Sequence, residues 1–404
     1  MHKILLSFFI LITLGYTIAQ NKEATIQSMY NDINYLASDK LKGRKTGTIG
    51  EKKAAKYISG QFEKYNLLPK GDIKYYQKFK GKIQHHHSKE SKKSIKGYNV
   101  IGFCDNNQKK TIIIGAHYDH LGKGGAGSLH SGKKEIHNGA DDNASGVSIL
   151  INLIKQLSEN KYYNYLFIAF SGEEEGLLGS SYFVKNPTIN LKDVRFMLNL
   201  DMVGRLNQKK EIAIKGDGTS TKWNNLLKNT NTSNLKLITS ESGVGPSDHT
   251  PFYLENIPVL HFFTGQHIDY HKPTDDIEKI NFEGMYMIMK YIESIIEEST
   301  KITNFDFQET TQETTIAPKM NVTLGIMPDY LYDGDGLRID GVTKGKTAFK
   351  HGFKKGDIIT YIAEFKINNI MDYMKGLNKF QKGDKIIIKI TRNNKIISKS
   401  VVFN

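Results

Sequence analysis

The sequence contains a single cysteine, Cys104, among its 404 residues, so no intramolecular disulfide can form. The fold must therefore be held by its hydrophobic core, by bound metal ions, or by both. Cys104 ends the strand-like segment Val100-Ile-Gly-Phe-Cys104, which favours a small packed side chain. A nucleophilic thiol would need an activating base nearby, so the cysteine content excludes a disulfide scaffold and disfavours cysteine catalysis.

Long apolar runs are also scarce. The one at residues 4–19 follows Met1-His-Lys3 and ends with the short residues Thr17 and Ala19, which is typical of a secretory signal peptide cleaved near Ala19/Gln20. Its roughly 16 residues are few for a membrane span, and no cysteine follows to accept a lipid. We therefore expect an exported protein, periplasmic or extracellular, without a membrane span.

Nucleic-acid-binding motifs are missing despite a net charge of +14. The lysines are scattered along the chain instead of forming one stripe with interleaved aromatic residues. No helix-turn-helix, RNP-type or finger pattern accompanies them. The excess charge therefore indicates a solvated, lysine-rich surface, and we expect no nucleic-acid partner.

Short buried strands alternate with helices over residues 20–300. The runs 111–116, 165–170 and 195–200 are apolar, β-branched or aromatic, and bounded by polar turns. A helical pattern from about residue 143 to Leu157 separates the first two runs, as in a βαβ unit. The pattern predicts an α/β domain that ends with a helix near Ser299, after a signal peptide at residues 1–19.

The composition and the pattern of apolar residues change after residue 300. Residues 301–319 have few apolar side chains, no period and a proline, which predicts a linker. Residues 320–404 combine short strands, glycine turns and two short helices, as in a small, partly open β-barrel. This tail resembles a PDZ domain through Thr323-Leu-Gly-Ile326, Ala348-Phe-Lys-His-Gly352 and Lys355-Gly-Asp-Ile-Ile359. The resemblance implies capture of a peptide or protein C-terminus as an added strand, and the alternative is a packing module without a ligand.

Acidic and imidazole side chains follow the predicted strands directly. His117 follows the first run, Glu173 and Glu174 the second, and Asp201 the third. Because ligands of α/β sheets bind beyond the carboxyl ends of the strands, these side chains are expected to converge. Three adjacent acids at residues 173–175 repel one another unless a proton or cation relieves them. The sequence therefore predicts a metal site at this edge.

Two further segments add candidate ligands. Asn138-Gly-Ala-Asp-Asp142-Asn143 is a tight acidic turn in which Asp142 is the candidate for bridging two cations, although Asp141 could serve on its chemistry alone. His271 lies in a loop rich in turn-forming residues. Asp119 is a natural hydrogen-bond partner for a metal-bound His117, and we favour a polar role beside the metals for His120 over ligation.

In order and spacing these residues resemble the zinc aminopeptidases of peptidase family M28, from about residue 22 to 298. Gly43-Arg-Lys-Thr-Gly47 and Ser247-Asp-His-Thr-Pro-Phe252 add to the match. The resemblance implies a mixed, largely parallel central sheet flanked by helices, as in zinc exopeptidases, and two Zn²⁺ per chain. The implied roles are His117 and Asp201 on one zinc, Glu174 and His271 on the other, Asp142 bridging, Glu173 as general base, Asp119 supporting His117, and Tyr270 donating to the tetrahedral intermediate. It further implies a cis peptide after Asp142.

The sequence thus predicts an exported di-zinc aminopeptidase that hydrolyses the N-terminal peptide bond of peptides with free N-termini, using a water shared by the metals. One alternative is an enzyme similar to glutaminyl cyclases, which share the fold and work with one zinc. The other is a non-catalytic peptide-binding scaffold, which would be expected to lack ligands.

Overall fold

The structure is a computed structural model, and it describes residues 20–83, 93–125, 127–130, 132–310, 322–329, 332, 334–342, 345–368 and 370–403. The predicted signal peptide, and residues 311–319 of the predicted linker, lie outside the described residues. Within the described ranges, no helix combines the length and the apolar character needed to cross a bilayer.

Residues 20–300 contain seven α-helices and nine strands in the described part of the chain. The helices are α1 (20–36), α2 (Ile49–Lys64), α3 (Gly146–Leu157), α4 (Leu178–Lys185), α5 (Trp223–Asn229), α6 (His249–Leu254) and α7 (Phe282–Ser299). The strands are β1 (Leu68–Pro69), β2 (Tyr76–Ile83), β3 (Lys93–Cys104), β4 (Thr111–His117), β5 (Asn164–Phe170), β6 (Val194–Leu200), β7 (Glu211–Lys215), β8 (Lys236–Ser240) and β9 (Val259–Phe263).

All nine strands form one mixed sheet in the order β1-β3-β5-β4-β6-β9-β7-β8, with β2 paired to β3. The four central strands β5, β4, β6 and β9 are parallel. On one side β3 runs antiparallel to β5, and on the other β7 runs antiparallel to β9 and parallel to β8. The carboxyl ends of β4, β5, β6 and β9 therefore lie along one edge. This arrangement confirms the predicted mixed α/β sheet flanked by helices.

Helices cover both faces of the sheet, and the alternation of strand side chains explains why. Ile112 and Ile114 of β4 pack into a core shared with α1, α2, α3, α5 and α7. Ile113, between them, points the other way into a second core that contains Phe183 of α4 and Phe252 of α6. A strand that is buried on both faces has a continuous run of apolar residues, and such runs predicted these strands from the sequence.

Residues 322–403 form a separate six-stranded antiparallel sheet. Its strands are β10 (Ile326–Pro328), β11 (Leu337–Val342), β12 (Ile358–Ile362), β13 (Phe365–Lys366), β14 (Lys385–Arg392) and β15 (Lys395–Val402), and its helices are α8 (Thr347–Lys350) and α9 (Ile370–Leu377). Leu324, Ile359 and Leu377 are among the residues of its own hydrophobic core. The first of these strands begins at Ile326, after the loop at residues 322–325.

The first residues after α7 stay in contact with the first sheet and its helices. The ring centroids of Phe305 and Trp223, the first residue of α5, are 4.6 Å apart. Asp306 accepts hydrogen bonds from the hydroxyls of Ser220 and Thr221 at 2.8 and 2.9 Å. Residues 301–310, although poor in apolar side chains, are therefore partly anchored by these contacts.

Candidate metal centre

Three parallel strands deliver side chains to one edge of the sheet. His117 is the last residue of β4, Glu173 and Glu174 follow β5, and Asp201 follows β6. His117 is 1 % exposed, so its ring sits inside the protein and not on a solvated loop. The convergence expected from the strand ends is present in the structure.

Asp142 reaches the same edge through a short π-helical turn, Ala140–Ser145, that precedes α3. The carboxylate of Asp275 accepts backbone hydrogen bonds from Asp141 and Asp142 at 3.0 and 3.1 Å. The side-chain amide of Asn143 donates to the carbonyl of Leu200 at 2.8 Å, which ties the turn to the end of β6. The Asp142–Asn143 peptide bond is cis, as the sequence resemblance implied.

The carboxylate of Asp142 faces a different histidine with each oxygen. Oδ1 lies 3.2 Å from His117 Nε2, and Oδ2 lies 3.2 Å from His271 Nε2. Asp201 Oδ1 is 3.3 Å from His117 Nε2, and Glu174 Oε2 is 3.3 Å from His271 Nε2. Asp142 therefore stands between two clusters, each with one imidazole nitrogen and two carboxylates.

Asp141, the alternative on sequence grounds, is engaged elsewhere. Its Oδ1 accepts a hydrogen bond from the backbone N–H of Gly204 at 2.6 Å, and its Oδ2 lies 3.0 Å from His267 Nε2. Both acids of the turn are buried, but only Asp142 has its carboxylate between the two histidines.

The tautomers of both histidines suit metal binding. Nδ1 of His117 lies 3.2 Å from the backbone carbonyl oxygen of Asp119, and Nδ1 of His271 lies 2.7 Å from that of Gly127. A carbonyl oxygen only accepts, so Nδ1 carries the hydrogen in each ring and the Nε2 lone pair is turned toward the carboxylates. Lone pairs and carboxylate oxygens at these distances call for a cation between them, and this set of N and O donors fits Zn²⁺.

The electrostatics of the site also favour positive charge. Burial lowers the pKa of His271, but Glu174 and Asp142 outweigh it and raise the pKa to about 9. Burial opposes ionisation of Asp142, yet the neighbouring His120, His117 and His271 hold its pKa well below the ordinary range. The pocket therefore attracts a cation, whether a proton or a metal ion.

Glu173 and Glu174 are adjacent but differ in environment. Glu174 contacts His271 and also His120, whose Nδ1 lies 2.7 Å from Glu174 Oε1. Burial, assisted by the charges of Asp201 and Glu174, raises the pKa of Glu173 well above its ordinary value. One carboxylate oxygen of Glu173 lies within 4.8 Å of ligand atoms of His117 and Asp201. Glu173 is therefore beside one cluster and is disposed to hold a proton.

His120 takes part in the site more closely than its sequence position revealed. It forms a group with Asp142 and Glu174 whose candidate ligand atoms lie within 4.8 Å of one another. Its Nδ1 is 3.8 Å from Asp142 Oδ2, farther than from Glu174 Oε1. The closest contact of the His120 ring is therefore the one with Glu174.

A buried arginine, which the sequence analysis did not single out, supports the loops around the site. Arg44 donates to the carbonyl oxygens of Tyr118, Asn138 and Gly139 at 2.8, 2.6 and 3.0 Å. A Cβ on the preceding Gly43 would lie 2.3 Å from the carbonyl oxygen of Gly122, so the loop packs where only glycine fits. The motif Gly43-Arg-Lys-Thr-Gly47 was the available sequence signal.

Ser247 also contacts a candidate ligand. Its hydroxyl donates to Asp201 Oδ2 at 2.7 Å, and it accepts from the side-chain amide of Asn199 at 2.8 Å. Ser247 belongs to the segment Ser247-Asp-His-Thr-Pro-Phe252 noted in the sequence, where the neighbouring Asp248 is fully buried. The Ser247 hydroxyl of this segment therefore helps to fix the orientation of the Asp201 carboxylate.

A cavity of about 150 Å³ opens beside the clusters. Tyr270 lines it, and the ring of Tyr270 stacks on that of His271 with centroids 3.8 Å apart. The other lining residues are His117, Asp142, Glu173, Asp201, Met202, Lys215, Pro246, Ser247, His261, Phe263, Gln266 and His271. The predicted site residues other than Asp119 and Glu174 therefore border one space. Those two contact the lining residues Glu173 and His271, respectively.

Models of two known families match parts of the chain. The model for peptidase family M28 matches residues 99–296, and the model for the PDZ domain matches residues 313–402. The first range contains both clusters and the cavity. The second contains the six-stranded sheet that follows.

Among known proteins, a probable leucine aminopeptidase of Arthroderma otae is 27 % identical over 206 residues, which are 47 % of this chain and 54 % of the relative. The chain thus spans about half the length of that relative. A leucine aminopeptidase precursor from Bacteroides thetaiotaomicron superposes with a TM-score of 0.53 at 17 % identity, over 67 % of this chain and 96 % of the other. A glutaminyl cyclase from the same organism superposes with a TM-score of 0.54 at 18 % identity, over 67 % and 97 %.

These two solved structures share the fold with the first sheet and its helices. The family models match the two segments in the order that the sequence predicted. Residues 99–296 therefore match a peptidase family M28 domain, and residues 313–402 match a PDZ domain that follows it.

Proposed function

We propose that the chain is an exported di-zinc aminopeptidase that hydrolyses the N-terminal peptide bond of peptides. The observation that carries this proposal is the placement of Asp142, with one carboxylate oxygen toward each of the two histidines. A carboxylate in that position can bridge two cations and hold them close together. A mononuclear site would not need it.

In this proposal His117 and Asp201 would hold one zinc, Glu174 and His271 would hold the other, and Asp142 would be shared by both. Two bound zinc ions would polarise the scissile carbonyl and make a water molecule acidic enough to attack it. Asp119 keeps the Nδ1 hydrogen of His117 directed at its own carbonyl, so that Nε2 remains available as a donor atom.

Glu173 acts as the general base and then as the general acid. Its raised pKa suits a group that accepts a proton from the attacking water and keeps it until the leaving amine needs it. Its backbone N–H is held by the Asp119 carboxylate at 3.1 Å, so its position depends little on solvent. The stacking of Tyr270 on His271 supports a role for the Tyr270 hydroxyl as a donor to the developing oxyanion.

The size of the cavity supports an exopeptidase. At about 150 Å³ it falls below the ~300–1,000 Å³ of pockets that enclose drug-sized ligands. A space of that volume takes one side chain and not an extended peptide segment. We propose that it receives the side chain of the N-terminal residue.

Glutaminyl cyclase activity is a second candidate, favoured by the fold shared with the Bacteroides thetaiotaomicron enzyme. It would use one zinc. All five candidate ligands are present, which favours the two-metal site. They are His117, His271, Asp142, Asp201 and Glu174. Their presence also argues against a scaffold that has lost catalysis.

We further propose that residues 20–300 form the peptidase domain, that residues 301–319 form a linker, and that residues 320–404 bind the C-terminus of a peptide or protein. Export follows from the signal peptide predicted at residues 1–19. The PDZ domain would then recruit exported partners or substrates by adding their termini to its sheet.

Zinc content and product release together test the proposed function. Purified protein should contain two zinc ions per chain by elemental analysis and release p-nitroaniline from aminoacyl-p-nitroanilides. Chelation should stop this release, and Zn²⁺ should restore it. One zinc per chain with cyclisation of N-terminal glutamine would favour the cyclase, and neither reaction would favour the scaffold.

A further inference from the structure

The segment that follows α7, residues 301–310, passes from one core of the first sheet to the other, and we call it the strap. Phe305 packs against the core that contains Trp223. Phe307 packs against the core on the opposite face of the sheet, where its ring centroid lies 5.5 Å from that of Tyr253 in α6. The strap is therefore held by aromatic contacts on both faces.

The last residue of the strap is buried in a small network of hydrogen bonds. Thr310 is 7 % exposed, and its backbone N–H and its hydroxyl donate to the hydroxyl of Tyr253 at 2.9 and 3.1 Å. The hydroxyl oxygen of Thr310 accepts from the backbone N–H of Gly243 at 3.2 Å. A Cβ on Gly243 would lie 2.1 Å from Cδ2 of Tyr253, so only glycine fits against this ring. Thr310 thus joins α6 to the loop that contains Gly243.

This loop reaches the candidate metal centre. Residues 241–248 connect β8 to α6, and we call them the cavity loop. Pro246 and Ser247 of this loop line the cavity beside the metal clusters. The hydroxyl of Ser247 donates to Asp201 Oδ2 at 2.7 Å. The position of the cavity loop therefore bears directly on a proposed zinc ligand.

Hydrogen bonds inside the cavity loop connect its two ends. The hydroxyl of Ser242 donates to the carbonyl oxygen of Val244 at 2.9 Å. The hydroxyl of Thr250 accepts from the backbone N–H of Gly245 at 2.7 Å and donates to its carbonyl oxygen at 2.6 Å. Because these bonds restrict the backbone between them, a shift of Gly243 would carry the two cavity-lining residues with it.

We propose that Thr310 and Tyr253 are positioning residues of the peptidase, whose hydrogen bonds hold the cavity loop where Ser247 orients Asp201. This inference rests on the proposed di-zinc aminopeptidase function and adds residues outside the M28 match to the support of its metal centre. The strap, which leads toward the PDZ domain, then contributes to zinc binding and is more than a spacer.

The test uses the full-length protein and three measurements. They are zinc affinity by competition with a chelator, kcat and KM for leucine p-nitroanilide, and amide hydrogen exchange of the cavity loop by mass spectrometry. Thr310→Val keeps the shape of the side chain and removes the hydroxyl. It should speed exchange in residues 241–248 and lower zinc affinity and kcat each by about tenfold, the low end for residues that orient metal ligands.

Conservative and distant substitutions separate positioning from general stability. Thr310→Ser retains the hydroxyl and should restore all three measurements to wild-type values. Tyr253→Phe removes the partner hydroxyl and should reproduce the effect of Thr310→Val. Thr221→Val is the matched control, because it removes a hydroxyl that binds the strap through Asp306, away from the cavity loop. It should leave zinc affinity and kcat unchanged.

A double substitution tests whether Thr310 acts through Ser247. Ser247→Ala removes the hydrogen bond to Asp201 and should lower zinc affinity at least as much as Thr310→Val. Combining the two substitutions should add little to the effect of Ser247→Ala, because both act on the same hydrogen bond. Fully additive effects would show that Thr310 does not act through Ser247 and would overturn the inference.

Wild-type zinc affinity and kcat in Thr310→Val would also overturn the inference and leave the proposed function standing. Equal losses in Thr221→Val would do the same, since the strap would then contribute stability alone. A wild-type protein that binds zinc without releasing p-nitroaniline would overturn the proposed function. Zinc affinity and hydrogen exchange of the variants would still decide whether Thr310 positions the loop.

Discussion

The carboxylate of Asp119 accepts a hydrogen bond from the backbone N–H of Glu173 at 3.1 Å. Its other oxygen accepts from the hydroxyl of Thr46 at 2.7 Å, and the backbone carbonyl of Asp119 faces His117 Nδ1 at 3.2 Å. One fully buried residue therefore fixes both the turn that carries the proposed base and the ring of a proposed zinc ligand. The Asp119 carboxylate itself is 3.8 Å from His117 Nδ1, so its carbonyl is the closer partner of this ring.

Replacing Asp119 tests this double role. Asp119→Asn retains one acceptor oxygen but must present its amide to either Thr46 or Glu173. We expect activity or zinc affinity to fall by about 10- to 100-fold, as for other residues that orient metal ligands. Zinc titration and kcat on an aminoacyl anilide measure the two effects. Thr46→Val, which removes one donor to Asp119, should have a smaller effect, and wild-type kcat in Asp119→Asn would contradict the assignment.

The substitution Glu173→Gln tests whether Glu173 is the general base and not a zinc ligand. The amide cannot accept the proton of the attacking water, so kcat should fall by at least about 10²- to 10⁴-fold. Elemental analysis should still find the wild-type zinc content, because the proposed ligands are untouched. The neighbouring Glu175, which pairs with Lys45 at 2.6 Å, provides the control Glu175→Gln, expected to be active. Loss of zinc from Glu173→Gln would make Glu173 a ligand.

Replacing Arg44 tests how strongly the loops around the candidate metal centre depend on its buried guanidinium group. A lysine has three donors in a different geometry, so Arg44→Lys would leave carbonyl oxygens such as those of Asn138 and Gly139 without partners. Each unsatisfied buried acceptor costs about 1–3 kcal/mol, and we expect the free energy of unfolding to fall by several times RT. Urea denaturation measures the change. Lys40→Met, on the exposed face of the same segment, should be neutral.

The burial of Asp32, outside the candidate metal centre, predicts that stability depends on pH. Burial raises the pKa of Asp32 from 3.8 to about 7, although Tyr57 and Asn152 donate hydrogen bonds to it. The folded state then binds the proton more tightly than the unfolded state between these values, so the free energy of unfolding falls as pH rises from about 4 to 7. The slope is on the order of 1 kcal/mol per pH unit.

The measurement is the difference in thermal stability between the wild-type protein and Asp32→Asn across pH 4–7, since groups common to both cancel. The substituted protein should show a flatter profile. Equal slopes in the two proteins would mean that Asp32 remains ionised in the folded state.

Much of the fold was readable from the sequence. The strands at residues 111–117, 164–170 and 194–200 are buried on both faces, so their uninterrupted apolar runs identified them. The helix α3 showed its inner face through Val147, Leu150 and Ile154. The strand β2 and the first half of β3 were not predicted, because the polar and glycine residues along Tyr76–Ile83 and residues 93–99 give no clear alternation, whereas residues 100–104 were recognised as strand-like.

The sequence by itself determined the chemistry available at the centre. It placed His117, the pair Glu173 and Glu174, and Asp201 directly after buried strands, and parallel strands bring their carboxyl ends to one edge wherever such a sheet forms. The chemistry of the two adjacent acids left Asp141 open beside Asp142, and the resemblance to family M28 is what assigned the bridging role to Asp142.

Only the tertiary structure decided which oxygen faces which nitrogen. The turn before α3 places Asp142 between His117 and His271 and directs Asp141 to His267. This difference is set by the backbone conformation and by hydrogen bonds that the backbone of the turn donates to the distant Asp275. The same holds for Lys215, whose place in the cavity follows from its register with His261 on β9. Register between strands far apart in sequence is a property of packing, and no local pattern encodes it.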